Sequence, residues 1–91
     1  MPKNHRNTIV AEQGHADAQY NLGLIYKKGQ GVPQNNKLAY VWISLAATYG
    51  GNKNAIKNRD ILAKSLPPQV LSDSQETVNK KYVEIETRRN K

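Results

Sequence analysis

The feature that most constrains the fold is a stretch of about 40 residues, 11–50, whose two ends carry the same small residues. Ala11 and Gly14 recur as Ala47 and Gly50, 36 residues further along the chain. A period of this length is typical of stacked helical repeats, in which each unit buries its apolar face against its neighbours. The stretch therefore predicts a helical repeat.

Two segments of this stretch have apolar residues at helical spacing, and a glycine-rich turn separates them. The first helix is predicted at 16–28 and ends at Gly29, because glycine adopts the left-handed conformation at little cost. The second is predicted at 37–49, with Asn35 or Asn36 accepting hydrogen bonds from its first amides. The short connection predicts an antiparallel pair. The predicted buried faces are Ala18, Gln19, Leu22, Gly23 and Tyr26 on the first helix, and Leu38, Ala39, Trp42, Leu45, Ala46 and Tyr49 on the second.

The flanking segments are less regular than this pair. Residues 1–10 are mostly polar and are predicted to fray, except for a last helical turn left from a preceding repeat. The chain is then either a fragment of a longer array or open at its N-terminal end. Residues 51–66 are a degenerate half-repeat, because Arg59 stands where the first helix has Leu22. Two prolines separate it from a long C-terminal helix within 67–91, whose second half is expected to overhang or to pack on another copy.

Many fixed positions of this pattern resemble a Sel1-like repeat, a relative of the tetratricopeptide repeats. The resemblance covers about 40 of the 91 residues, and the segment 55–75 also resembles the tail that closes many bacterial arrays of this family. It implies an all-α fold of antiparallel helix-turn-helix repeats, an α-solenoid fragment. It also implies an adaptor or scaffold for protein complexes, often in bacterial signalling or envelope processes. The matching residues are Ala11, Gly14, Ala18, Gln19, Leu22, Gly23, Tyr26, Gly29, Gly31, Val32, Ala39, Trp42, Ala46, Ala47 and Gly50.

The whole chain, 1–91, is long enough for one small domain. Within it, residues that carry catalytic or metal chemistry are sparse. Cysteine is absent, and His5 and His15 are the two histidines. His15 lies near Glu12 and Asp17 in the sequence, but no second histidine or cysteine completes a ligand set. We therefore predict no metal, no cofactor and no enzymatic activity.

The face opposite the buried stripe of each first-type helix is the predicted binding groove. Asparagine there can donate to and accept from an extended peptide backbone at the same time. Apolar residues on this face are expected to lie away from the core and to remain available for contacts, while lysines favour an acidic partner segment. The predicted groove residues are Tyr20, Asn21, Leu24 and Lys28 on the first helix, and Lys57, Asn58 and Ile61 on the third.

The charge supports an alternative function. Between Lys27 and Lys64 there are seven basic residues and one acidic residue, which is +6 of the net charge of +7. Such a surface attracts phosphates as well as acidic peptides, so the alternative is a basic helical domain that binds nucleic acid non-specifically. No recognised nucleic-acid motif accompanies the charge, and nucleic acid is therefore the less favoured partner.

Two further expectations concern assembly and location. A homodimer would cover the open end of the repeat or the predicted stripe Val78, Tyr82 and Ile85 of the last helix. The sequence has no apolar run long enough for a membrane span and no signal-peptide core. The chain as it stands is therefore expected in the cytoplasm, or in the periplasm if it is cut from a longer precursor.

Overall fold

Five α-helices follow one another in the computed structural model, which describes residues 3–90, with side chains from Asn7 onward. The helices confirm the predicted all-α fold, and the bounds predicted for the central pair are right to within one residue at each end. They are α1 (Lys3–Glu12), α2 (Ala16–Lys28), α3 (Asn36–Gly50), α4 (Lys53–Ser65) and α5 (Pro68–Arg89).

Asparagines and glycines set the ends of the central helices. Asn35, rather than Asn36, caps α3, since its side chain accepts from the backbone N–H of Leu38 at 3.0 Å. Asn52 caps α4 in the same way. Gly29 and Gly51 end α2 and α3 in the left-handed conformation, with φ of 71° and 62°, where a Cβ atom would be strained.

Helix α3 is the centre of the fold. It contacts α2, α4 and α5, and every side chain from 39 to 47 is buried. The prediction of a single apolar face was too narrow, because Tyr40, Val41 and Ile43 are buried as well. A helix that is apolar on all sides requires neighbours on all sides, and α4 and α5 supply those that the helix pair α2 and α3 lacks.

Residues 3–8 were predicted to fray but belong to α1, which also contains the helical turn predicted at residues 9–11. Met1 and Pro2, which were also predicted to fray, lie outside the described residues. The end of α1 is fixed by the repeat: Ala11 is fully buried, and the buried side chain of Gln19 donates to its carbonyl at 3.0 Å. Tertiary contacts of this kind stabilise a short helix that is marginal by itself.

The second half of α5 folds back on its own chain and does not overhang. Ile85 is 1% exposed and joins a cluster with Leu22 and Trp42. Two basic side chains of α5 also bind Glu12 of α1, Lys81 at 3.0 Å and Arg88 at 2.9 Å. The expected dimer stripe is therefore wrong in part, because Ile85 is buried within the chain, while dimer formation itself stays a prediction.

Candidate functional site

Two of the predicted groove residues, Tyr20 of α2 and Asn58 of α4, are in contact. Asn58 donates through Nδ2 to the hydroxyl of Tyr20 at 3.0 Å, and its Oδ1 accepts from the ammonium group of Lys27 at 3.1 Å. Nδ2 also donates to the carbonyl of Asn54, one turn earlier on α4, at 2.9 Å. These bonds link the two helices through polar side chains.

Lys27 is the residue of this contact that the sequence prediction missed. It lies seven residues after Tyr20, two helical turns along the same stripe of α2, so the helical period could have included it. The predicted stripe ran instead through Lys28, which is exposed beside it.

The structure corrects the roles of two predicted groove residues. Leu24 was expected away from the core, but it is half-buried and packs against the cluster around Ile43. Asn58 was expected to hold a peptide backbone, but its donor and its acceptor are both engaged within the chain. Tyr20 packs against the same cluster as Leu24. These three side chains therefore make their contacts within the chain and are not free to contact a partner.

Four predicted groove residues remain exposed. Asn21, Lys28 and Lys57 are polar, and Ile61 is an apolar side chain that is 49% exposed. None of the four forms a side-chain hydrogen bond within the described residues, so their polar and apolar atoms face solvent. We name this set, together with Lys27 and Asn58, the α2–α4 face.

Residues 16–50, which form α2, the turn and α3, match the family model of the Sel1 repeat. The match covers 35 of the 91 residues, so the Sel1 repeat is this segment and not the whole chain. Sel1 repeats are a non-enzymatic family that generally mediates protein–protein interaction. No curated protein and no solved structure matches the chain.

Three lysines lie on the α2–α4 face: Lys27 and Lys28 belong to the Sel1 repeat, and Lys57 belongs to α4. Lys27, Lys28 and Lys57 form no ion pair in the part of the chain that the structure describes. The nearest acidic residue in the sequence of α4, Asp60, is paired instead with its neighbour Arg59 at 3.3 Å. The charges of these three lysines are therefore not neutralised by an ion pair among the described residues.

Acidic side chains are engaged on the other side of the Sel1 repeat, where α5 joins it. Burial raises the pKa of Glu12, but hydrogen bonds and charges from Arg88 and Lys81 outweigh burial and hold this pKa below 4.5. Burial, followed by the hydrogen bond and charge of Glu86, raises the pKa of Tyr49 to about 12. These contacts attach α5 to α1 and α3, so their role is structural.

The candidate metal residues do not form a site. His15 is exposed at the N-cap of α2, and among the described residues there is no group of three His, Cys, Asp or Glu placed to hold a metal. The side chain of His5 lies outside the described ones.

Trp42 is 4% exposed and belongs to the core. No helix of residues 3–90 has the length and apolar content needed to cross a membrane.

Proposed function

We propose that the chain is an adaptor whose α2–α4 face binds an extended, acidic segment of a partner protein. The observation that carries this proposal is the set of three lysines, Lys27, Lys28 and Lys57, on two adjacent helices without a carboxylate partner in the described chain. Uncompensated positive charge of this kind attracts acidic segments and accelerates their encounter.

Polar and apolar groups on the same face suit a peptide rather than an isolated anion. The carboxamide of Asn21 can donate and accept at once, which matches the amide and carbonyl of a peptide bond. Ile61 offers an exposed apolar contact for one side chain of the segment. Together these groups support a modest affinity that decreases as salt screens the lysines.

Asn58 has a different role from the one that the sequence suggested. Because its amide joins Tyr20 and Lys27, it fixes the distance between α2 and α4. A face with fixed spacing loses less conformational entropy on binding than a mobile one. We therefore assign the peptide contact to Asn21 and the positioning to Asn58.

The test uses a fluorescent peptide of alternating glutamate and valine, and a copy with glutamine in place of glutamate. We expect the chain to bind the acidic peptide more tightly, and low salt to enlarge the difference. Lys57→Gln should weaken binding by roughly 2- to 5-fold, the range of one exposed charge pair. Lys80→Gln is the matched control, since Lys80 is an exposed lysine of α5 that pairs with Glu76.

Two results would contradict the proposal. One is equal affinity for the acidic peptide and its glutamine copy at low salt. The other is equal weakening by the Lys57 and Lys80 variants, which would indicate general attraction to a basic protein. Asn21→Ala should also weaken binding while leaving the helical content unchanged, because its side chain is exposed.

The same three lysines also favour the alternative partner, nucleic acid. Duplex DNA of arbitrary sequence is the probe that separates the two functions. Binding to DNA through phosphates falls steeply with salt, with a slope set by the number of phosphates neutralised. Tight, steeply salt-dependent binding to DNA, together with weak binding to the acidic peptide, would favour the alternative.

A further inference from the structure

A groove lies between α4 and α5. Its floor is one stripe of α3, formed by Tyr40, Ser44 and Thr48 at intervals of one helical turn, and its volume is about 570 Å³. The walls include Arg59 of α4 and two carboxamides of α5, Gln75 and Asn79. The sequence predictions included none of these residues in a site.

The groove has the shape of an open trough. The two carboxamides are exposed, and the side chain of Arg59 is about one-third exposed. Small-molecule sites usually bury most of the surface of their ligand, which an open trough does not. An extended peptide that lies along the groove needs contacts on one of its sides only, so an open trough can bind it. The floor from Tyr40 to Thr48 is ~12 Å long, at 1.5 Å per residue of helix, which equals three to four residues of extended peptide at ~3.3 Å each.

The two carboxamides match the repeat of an extended backbone. Gln75 and Asn79 are four residues apart on α5, which separates them by ~6 Å along the helix. Two residues of an extended chain advance by ~6.6 Å, so both amides can meet peptide groups on the same edge of one strand. Neither side chain has a hydrogen-bond partner among the residues that the structure describes, and each has a donor and an acceptor to offer.

A buried hydroxyl on the floor is a second, independent observation. Ser44 is 5% exposed, and its Oγ has no hydrogen-bond partner within the described chain. A buried hydroxyl without a partner is destabilising. Polar groups of this kind usually obtain a partner from protein, water or ligand. The Oγ is closed to solvent in the unbound chain, so a carbonyl oxygen of a bound segment becomes its acceptor only when the side chains around the floor move aside.

The charges of this groove differ from those of the α2–α4 face. Arg59 and Asp60 both line it and pair with each other, so the lining has no net charge. Selection by acidic side chains is therefore not expected. The groups that remain are carboxamides and a hydroxyl, which recognise backbone amides and carbonyls whatever the side chains are.

We propose that the groove between α4 and α5 is a second peptide site, which holds an extended, uncharged stretch of a partner chain through its main-chain hydrogen bonds. This site goes beyond the proposed function and does not depend on it, since it uses other residues and another chemistry.

The test measures nuclear magnetic resonance shifts of the isotope-labelled full chain with a capped hexapeptide of alternating serine and valine. A copy of the peptide with alternate amide nitrogens methylated keeps the side chains but loses backbone donors. We expect shifts at α4 and α5 around Arg59, Gln75 and Asn79. Salt should have little effect, and the methylated copy should bind at least ~10-fold more weakly, as expected for the loss of two or more hydrogen bonds.

The variant Gln75→Ala with Asn79→Ala should weaken binding of the unmethylated peptide by at least ~10-fold. Both side chains are exposed, so the fold should be unchanged, and circular dichroism checks this. Gln13→Ala is the matched control, because Gln13 is an exposed carboxamide in the turn between α1 and α2.

Three results would overturn this proposal: no shifts at the groove, equal binding of the methylated peptide, or unchanged binding by the Gln75 and Asn79 variant. Failure of the proposed acidic-peptide function is measured separately. Lys57→Gln should weaken binding of the acidic peptide and leave binding of the uncharged peptide unchanged. The variant Gln75→Ala with Asn79→Ala should weaken binding of the uncharged peptide and leave binding of the acidic peptide unchanged.

Discussion

The substitution Ile85→Ala tests whether α5 is docked on the repeat. Ile85 is 1% exposed and lies in a cluster formed by residues of four helices. Replacing a buried isoleucine with alanine removes buried apolar groups and leaves a cavity, which typically costs ~2–5 kcal/mol. The cluster is formed by Ala11, Leu22, Val41, Trp42, Leu45 and Ile85.

This loss is large compared with the total stability. A domain of 91 residues has a free energy of unfolding of about 5–14 kcal/mol, at 0.05–0.15 kcal/mol per residue. With a urea m value of ~1 kcal/mol per molar for a small protein, the midpoint should fall by ~2 M or more. Urea unfolding followed by far-UV circular dichroism measures this shift.

Val83→Ala is the control for this measurement. Val83 lies two residues before Ile85 on the same helix and is 62% exposed, so its replacement should change the stability by less than ~0.5 kcal/mol. If both variants unfold at the urea midpoint of the parent, α5 is not docked through Ile85. Equal losses in both variants would refute the argument as well, because they would reflect the helix and not the cluster.

Four further predictions follow from particular side chains. Trp42→Ala should cost ~3–5 kcal/mol, because this side chain is buried in the same cluster; an unchanged melting curve by circular dichroism would contradict its place there. The lowered pKa of Glu12 gives stability that is present above its ordinary value of 4.5 and is lost as pH falls through the lower folded value; Glu12→Gln should flatten this acid-side dependence in urea titrations at several pH values. The pKa of Tyr49, raised to about 12, should appear as a late component of a spectroscopic tyrosine titration that disappears in Tyr49→Phe, and its contribution to stability is full below pH 10 and is lost as pH rises through the folded pKa. Asn58→Ala should lower the urea midpoint, since a hydrogen bond typically contributes ~1 kcal/mol, whereas Asn21→Ala should leave it unchanged; equal midpoints for the two variants would show that the bridge contributes nothing.

Local chemistry made the helix boundaries predictable. Gly29 and Gly51 end their helices through positive φ, Asn35 caps the next helix, and Pro68 begins the last one. Each of these signals acts within a few residues of the chain. The repeat pattern adds the antiparallel arrangement, because a short turn leaves few alternatives.

Contacts between distant residues could not be predicted in the same way. Glu12 and Lys81 are 69 residues apart, and nothing local indicates that α5 turns back toward α1. The polar bridge at Asn58 was missed for a related reason: the residue type fits both a peptide clamp and an internal bond. Its engagement was decided by the position of Tyr20, 38 residues away.

Because α3 lies at the centre of the fold, the repeating unit of this chain differs from its folding unit. The Sel1 repeat, α2 with α3, is the unit that a family pattern recognises, but α3 also contacts α4 and α5. Cutting the repeat out would expose the sides of α3 that face Leu62 and Ile85. We therefore expect the amides in the buried middle of α3 to exchange their hydrogens only when the domain opens as a whole. The part of this chain that folds cooperatively is larger than the part that repeats.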